Sequence, residues 1–309
     1  MAEVKKKEDR IFRQSRQIYF KKGAEVIKKF VFYLGLCNSC ASLKDKFSMF
    51  IWILLRSSLY PLTSTDKNSK EKILYEKFSS IYKPIITVRN EDGLFKCRGW
   101  TDDIRIVNPI TEYEIREYFS LREGVFIDVG AHIGKYTIMT GRKLVKGKII
   151  SIEADPDNFE ILKENIVLNN LKNVIPLNLA AFRENGEIAF YKTISPHTSG
   201  YSIYSREHTK TINVKAMRLD EISDNLGLGK IDLIKIDVEG AEYDVLEGAT
   251  RTLRKTKIVI YETIWGDKSE KCKDLLTKMG FEINRLGNNI IAINRLDDKN
   301  GKIKNTCNF

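Results

Sequence analysis

The stretch that most limits how this chain can fold runs from Val125 to Glu153. Val125-Phe-Ile-Asp-Val129 is a short apolar run with one acid near its end, and Gly130-Ala-His-Ile-Gly134 follows at once. This spacing predicts a buried strand, a tight glycine turn and a helix over Tyr136–Leu144. Glycine permits the sharp turn and lets backbone come close to a ligand. Lys148-Ile-Ile-Ser-Ile-Glu153 predicts a second buried strand that also ends in an acid. Apolar strands alternating with helical stretches are the pattern of a parallel α/β sheet. The alternation continues through a helix over Asn158–Asn169, a strand over Val174–Leu179, a strand over Ile231–Asp237 and a helix over Ala241–Leu253. A strand over Lys257–Tyr261 and a helix over Lys271–Met279 come next. Phe281–Leu286 and Ile290–Asn294, split by Gly287-Asn-Asn289, then predict a closing hairpin.

Open α/β sheets bind ligands at the carboxyl ends of their strands. Glu153 stands at such an end, where a carboxylate can accept hydrogen bonds from both hydroxyls of a ribose. Gly130-x-x-x-Gly134 lacks the third glycine of a dinucleotide cradle, and no Gly-Lys-Ser/Thr phosphate loop occurs. A nucleoside carrying an amino-acid tail, such as S-adenosylmethionine, suits these residues better than NAD or ATP.

Composition settles several exclusions. Apolar residues make up 42% of the 309, enough for a sizeable core, and 6 prolines rule out collagen-like or proline-rich disorder. Five scattered cysteines do not read as a secreted disulfide framework, so a reducing, cytoplasmic setting is expected. The net charge of +11 sits mostly in residues 1–60, which hold thirteen basic and five acidic side chains. Three regions follow: a basic helical extension with linker over 1–70, a main domain over 71–295 and a polar tail over 296–309. The polar stretch Thr63–Lys70 marks the first boundary.

Within the extension, Val26–Leu36 and Phe47–Leu55 are amphipathic apolar runs. Nine residues cannot span a bilayer. With Lys44, Lys46, Arg56 and Trp52 around it, the second run can lie in an anionic membrane interface, giving peripheral attachment. Packing on the main domain or on another subunit is the favoured alternative, because aromatic helical faces are more often core. Cys37-Asn-Ser-Cys40 lacks the second ligand pair of a structural zinc site. Between extension and sheet, Ile85–Val88, Leu94–Cys97 and Ile104–Val107 are β-prone, and Thr111–Phe119 predicts a short helix.

With these motifs in place, Val125–Ala154 resembles the cofactor-binding half of class I S-adenosylmethionine-dependent methyltransferases. Asp232-Leu-Ile-Lys-Ile-Asp-Val-Glu-Gly-Ala-Glu-Tyr-Asp-Val-Leu-Glu-Gly248 resembles the hallmark of the FkbM-type family, and Glu153-Ala-Asp-Pro-Asp157 and Asn178-Leu-Ala-Ala181 are also similar to it. The resemblance covers roughly Lys83 to Arg295. It implies a Rossmann-like, seven-stranded α/β sheet with a C-terminal antiparallel hairpin, and methyl transfer to a hydroxyl of a sugar, glycan, glycolipid or similar metabolite. It places S-adenosylmethionine against Asp128, Gly130, Ala131, His132, Gly134, Tyr136, Thr137, Glu153, Ala154, Asp155, Asn178 and Ala180. Two positions depart from the family pattern. His132 stands where asparagine is more usual, and Ala180 stands where many class I enzymes put an acid near the adenine amine. Adenine would then be read by backbone groups or by Asn178.

An alcohol must lose its proton to be methylated, which calls for a base or a metal. Asp237 and Glu239 end a strand beside the expected cofactor site and are the first candidates, with Glu242 one turn on. His197, in the Ser195–Ser202 stretch between β-prone segments, is a further candidate base. Glu262 ends the next strand and can line the pocket or serve structure. Nothing in the sequence requires a metal. Two other functions compete: an RNA methyltransferase holding phosphates with its basic extension, and a non-catalytic membrane-associated protein. The residues after 60 are close to charge balance and contain no recognised RNA-binding module, so nucleic acid is the weaker reading.

Overall fold

The computed structural model describes residues 37–59, 80–193, 209–263 and 266–295. Two compact units result. The described residues up to Arg89 join Lys96–Trp100 in the first, and Asn90–Phe95 join the chain from Thr101 onward in the second.

In the first unit, helix α1 (Leu43–Leu59) starts at Ser42, whose hydroxyl accepts the Asp45 N–H at 3.1 Å. Strand β1 (Ile85–Arg89) pairs with β2 (Leu94–Arg98) as the alternating apolar pattern predicts. Trp52, the aromatic expected at a membrane interface, is instead fully buried, edge-on to Trp100 at 6.4 Å between ring centroids. Cys37 and Cys40 are not joined in a disulfide, and burial raises both thiols, Cys40 up to about 12, which does not favour redox chemistry. Among the described residues, no helix is long and apolar enough to cross a membrane.

The second unit opens with a correction. Ile104–Val107 does not form a strand; it belongs to a single helical turn, α2 (Asp103–Ile106). The Thr101 hydroxyl accepts the Asp103 N–H at 3.2 Å, and this local side-chain turn outweighs the β-preference of the isoleucines. Tyr113–Phe119 is 3₁₀ rather than α-helical.

The main sheet has seven strands: β3 (Glu123–Val129), β4 (Lys146–Glu153), β5 (Val174–Asn178), β9 (Ile231–Ile236), β10 (Thr256–Glu262), β11 (Phe281–Leu286) and β12 (Asn289–Asn294). Their order is β11-β12-β10-β9-β3-β4-β5, parallel except for β12, which runs against both β10 and β11. This is the seven-stranded α/β sheet with a C-terminal hairpin that the resemblance implies. Consecutive residues are buried on opposite faces: Ile127, Ile234 and Ile236 in one core cluster, Phe126, Leu233 and Ile260 in the other. Burial of both faces explains why the strands read as continuous apolar runs. The order turns back between β3 and β9, which opens a crevice at the carboxyl edge beside both strands.

Helix α3 (Lys135–Gly141) follows β3, and α4 (Pro156–Leu168) follows β4. A small sheet of β6 (Ala180–Ala181), β7 (Gly186–Thr193) and β8 (Thr209–Met217) branches off after β5. The segment joining β7 to β8, with His197, lies outside the described residues. Helix α5 (Leu219–Asn225) leads into β9. The single helix predicted over Ala241–Leu253 is two, α6 (Glu242–Glu247) and α7 (Thr250–Arg254). Gly248 passes so close to the Phe182 carbonyl that a Cβ would lie 2.1 Å from its oxygen. The buried Asp220 carboxylate then accepts the Arg251 and Thr252 N–H groups and restarts the helix. Helix α8 (Gly266–Lys278) precedes the hairpin.

Candidate active site

The glycine turn is built around its neighbours. Gly130 and Gly134 have φ of +80° and +95°, and a Cβ on Gly130 would sit 1.8 Å from the Asp237 carbonyl oxygen. Close approach of the β9 end therefore demands glycine here, in addition to any room a ligand needs. His132 also takes a left-handed backbone, φ +51°, a conformation that histidine tolerates alongside asparagine and aspartate. That accounts for histidine where asparagine is usual. The Gly130 and Ala131 N–H groups donate to the Ile152 carbonyl, which ties the turn to β4.

Glu153 is clamped by this arrangement. Its Oε2 accepts the His132 N–H at 2.7 Å and its Oε1 accepts the Asp155 N–H at 2.8 Å. Burial still pushes its carboxyl up to about 7. Glu153 lines a cavity of about 390 Å³ at the carboxyl edge, a size suited to a small molecule. Gly130, Ala131, His132, Tyr136, Ala154 and Ala180 also line it, and Phe190 of β7 closes an apolar slot beside Ala180 and Ala154.

Five other expected contacts lie off the cavity wall and shape it. The Asp128 carboxylate accepts the Thr137 hydroxyl at 2.6 Å, which in turn meets the Ser151 hydroxyl at 2.7 Å, all beneath the turn. Burial raises Asp128 to about 6. Gly134 gives α3 room against Leu162. Asp155 caps α4 through the Asn158 N–H at 2.8 Å and pairs with Lys192. The Asn178 amide donates to the Glu153 and Ala154 carbonyls, so it braces strand ends.

The far end of the same cavity is ionic. Asp237, Glu239, Glu262, Glu112 and Lys135 line it. Lys235, fully buried beneath, donates to Asp237 Oδ2 at 3.0 Å. Tyr136 donates its hydroxyl to Glu112 Oε2 at 2.6 Å, and Lys135 Nζ lies 3.6 Å from the same oxygen. Burial would raise Glu112, but Lys235, Lys135 and the Tyr136 hydroxyl together hold it below its ordinary value. Burial lowers Lys235 and the Asp237 and Glu112 carboxylates more than reverse this, so it stays charged. Glu262 goes the other way: burial, then the Asp237 carboxylate, push it up to about 7. Glu239 holds a left-handed backbone at φ +54°, while Glu242 accepts the Gly240 N–H at 3.0 Å.

Sequence reasoning passed over Glu112, Lys135, Lys235 and Phe190. Lys235 carried a signal: a lysine between two isoleucines of a buried strand needs a counter-charge, and Asp237 two residues on shares its side. Glu112 carried none. Three side chains of metal-ligand type, Asp102, Asp103 and His132, bring atoms within 4.8 Å of one another beside the turn, with Arg105 already 3.2 Å from Asp102.

Residues 128–289, more than half of the chain, match the model of the methyltransferase FkbM domain. The chain belongs to the FkbM methyltransferase family. The matched span opens at Asp128 beneath the glycine turn and closes at Asn289 where the hairpin turns back, so it takes in the glycine turn, Glu153, Asp237, Glu239 and Glu262 of the cavity wall but not Glu112. Among similar proteins is a hexuronic acid methyltransferase, AglP, of Haloferax volcanii. It is 27% identical over 217 residues, covering 70% of this chain and 83% of its own length. A 2-O-methyltransferase, NoeI, of Sinorhizobium fredii is 28% identical over 186 residues, covering 54% of this chain and 75% of its own. Among solved structures, a precorrin-6y C5,15-methyltransferase of Geobacter metallireducens aligns at a TM-score of 0.39 with 15% identity, over 60% of this chain and 88% of that one.

Proposed function

We propose that this FkbM methyltransferase binds S-adenosylmethionine at the glycine-turn end of the cavity and methylates a hydroxyl of a sugar or glycan at the ionic end. The observation that carries the reading is the division of one cavity into two chemically distinct halves. At one end, a clamped acid adjoins an apolar slot. At the other, several carboxylates gather around a buried lysine. The relatives named for hexuronic acid and for 2-O-methylation support a hydroxyl acceptor of sugar type.

The donor set fits the cofactor. Glu153 supplies acceptor oxygens for ribose hydroxyls, and Ala154, Ala180 and Phe190 offer apolar walls for a flat base. S-adenosylmethionine, when bound, supplies an electrophilic methyl on a sulfonium sulfur. The chain's own task is to hold the acceptor in line and remove its proton. Glu262 is the base in this reading, because a carboxyl near 7 accepts a proton from an alcohol more readily than an ordinary one. Asp237 has one oxygen held by Lys235 and remains 29% exposed in its side chain, so it orients the hydroxyl. Glu239 borders the same space. His197 is the reserve candidate.

Turnover with methyl-labelled S-adenosylmethionine against fractionated sugars and glycans tests the assignment. Glu262→Gln and Asp237→Asn are expected to keep cofactor affinity by calorimetry and to lose roughly 10²–10⁴-fold in kcat. Near-normal turnover in Glu262→Gln would remove it as the base.

A further inference from the structure

Helix α1 is apolar on two opposite sides. Met49, Trp52 and Ile53 are fully buried. On the other side, Leu43, Phe47, Phe50 and Leu54 are 83, 68, 43 and 41% exposed. Spaced i, i+4, i+7 and i+11, they fall within an arc of about 60°. Lys44 and Lys46, both exposed, project on either flank of that arc. A contiguous stripe of four large apolar side chains marks an interaction surface, unlike scattered apolar residues.

We propose that this stripe docks on an anionic lipid surface, with α1 lying in the plane of the interface. The apolar stripe enters the acyl boundary while Lys44 and Lys46 reach the headgroups along their aliphatic stems. Charge selects lipid over other occupants. Residues 1–42, which lead directly into the helix, hold ten basic and four acidic side chains. That excess complements an anionic leaflet. Over its described 17 residues, with charges in its first turns, this helix is not long and apolar enough to cross a membrane. The same stripe explains why Trp52 is not the anchor. The side chains that can meet lipid are Leu43, Phe47, Phe50 and Leu54, and Phe47 and Phe50 are the stripe's aromatic pair, about one helical turn apart.

Flotation of the full chain with phosphatidylcholine vesicles, with and without phosphatidylserine, tests this at low and high salt. The chain should float with the anionic vesicles at low salt and weaken as salt rises. The double variant Phe47→Glu/Phe50→Glu should reduce bound protein more than about tenfold, since two aromatic side chains lose their burial. Lys44→Glu/Lys46→Glu should weaken the preference for phosphatidylserine, and the basic residues of 1–42 should keep part of it. All four positions are exposed, so melting curves should match the parent; if the double glutamate variant melts early, Leu43→Ser/Phe47→Ser takes its place. Failure of the full chain to float, or unchanged flotation of a folded stripe variant, overturns the proposal. So does a concentration-dependent dimer in sedimentation that the stripe variant dissolves. None of these readouts depends on methyl transfer.

Discussion

Glu153 and Glu112 face one cavity from opposite ends, and burial is the largest influence on each, yet one is raised to about 7 while the other is held low. Their partners differ. Glu153 accepts two backbone N–H groups, from His132 and Asp155. Glu112 faces the ammonium groups of Lys235 and Lys135 as well as the Tyr136 hydroxyl. At Glu153 the two neutral N–H groups do not offset the loss of water; at Glu112 the two ammonium groups and the Tyr136 hydroxyl more than do. The turn end is thus built for a carboxyl that trades hydrogen bonds with a neutral partner such as a ribose. The ionic end is built on fixed charge, with Glu262 raised to about 7 first by burial and then by the Asp237 carboxylate.

Removing the fixed charge should produce the largest effect. Lys235→Met keeps the length of the side chain but leaves Asp237 without its buried counter-charge and Glu112 with Lys135 alone. Breaking a buried pair in this way costs about 3–5 kcal/mol. Urea unfolding at pH 8 is expected to show that loss. At pH 5 the loss should be smaller, because carboxyls deprived of a cation take up protons. Unchanged stability at pH 8 would break the comparison at its ionic end.

A smaller effect is expected at the other end. Glu153→Ala removes the acceptor for the proposed ribose contacts and should weaken S-adenosylmethionine by about 1–3 kcal/mol, with little change in kcat at saturating cofactor. Calorimetry and saturation kinetics separate the two quantities. A variant that binds normally but turns over slowly would move Glu153 from cofactor holding to acceptor chemistry.

How legible these features are depends on how local their causes are. The strands around Val125–Val129, Lys148–Glu153 and Ile231–Ile236 are written in adjacent apolar residues, and the hairpin in Gly287-Asn-Asn289, so the sheet could be read without the structure. The break between α6 and α7 could not, because it depends on the Phe182 carbonyl and on Asp220, both distant in sequence. The site divides similarly. Gly130 and Glu153 announce themselves through turn chemistry and strand-end position. Asp155 and Thr137 look identical in sequence to ligand contacts, and only packing assigns them to a helix cap and a buried hydroxyl chain. Glu112 joins the cavity through the tertiary fold alone. Lys235 lies between these extremes, conspicuous as a charge in a buried strand.

The smallest expected effect sharpens the contrast through pH. Asp128, Glu153 and Glu262 titrate near 6, 7 and 7 in the fold, above the ordinary values of 3.8, 4.5 and 4.5. A group raised by folding contributes stability in full below its unfolded pKa and loses it as pH rises through the folded one. Between pH 5 and 8 the folded chain therefore releases protons that the unfolded chain has already given up, and stability should fall across this window. Glu112 and Asp220, whose values are lowered, are ionised in both states there and add no slope. Asp128→Asn isolates one contribution. The asparagine oxygen can still accept the Thr137 hydroxyl, but nothing titrates. Urea unfolding at pH 5 and pH 8 should show the variant losing less stability than the parent, by on the order of 1 kcal/mol. Comparing the two chains cancels every other titrating group, the three histidines included. Equal slopes would mean that Asp128 is ionised throughout, and that its neutral hydroxyl partner stabilises charge as well as the ammonium groups do at the other end.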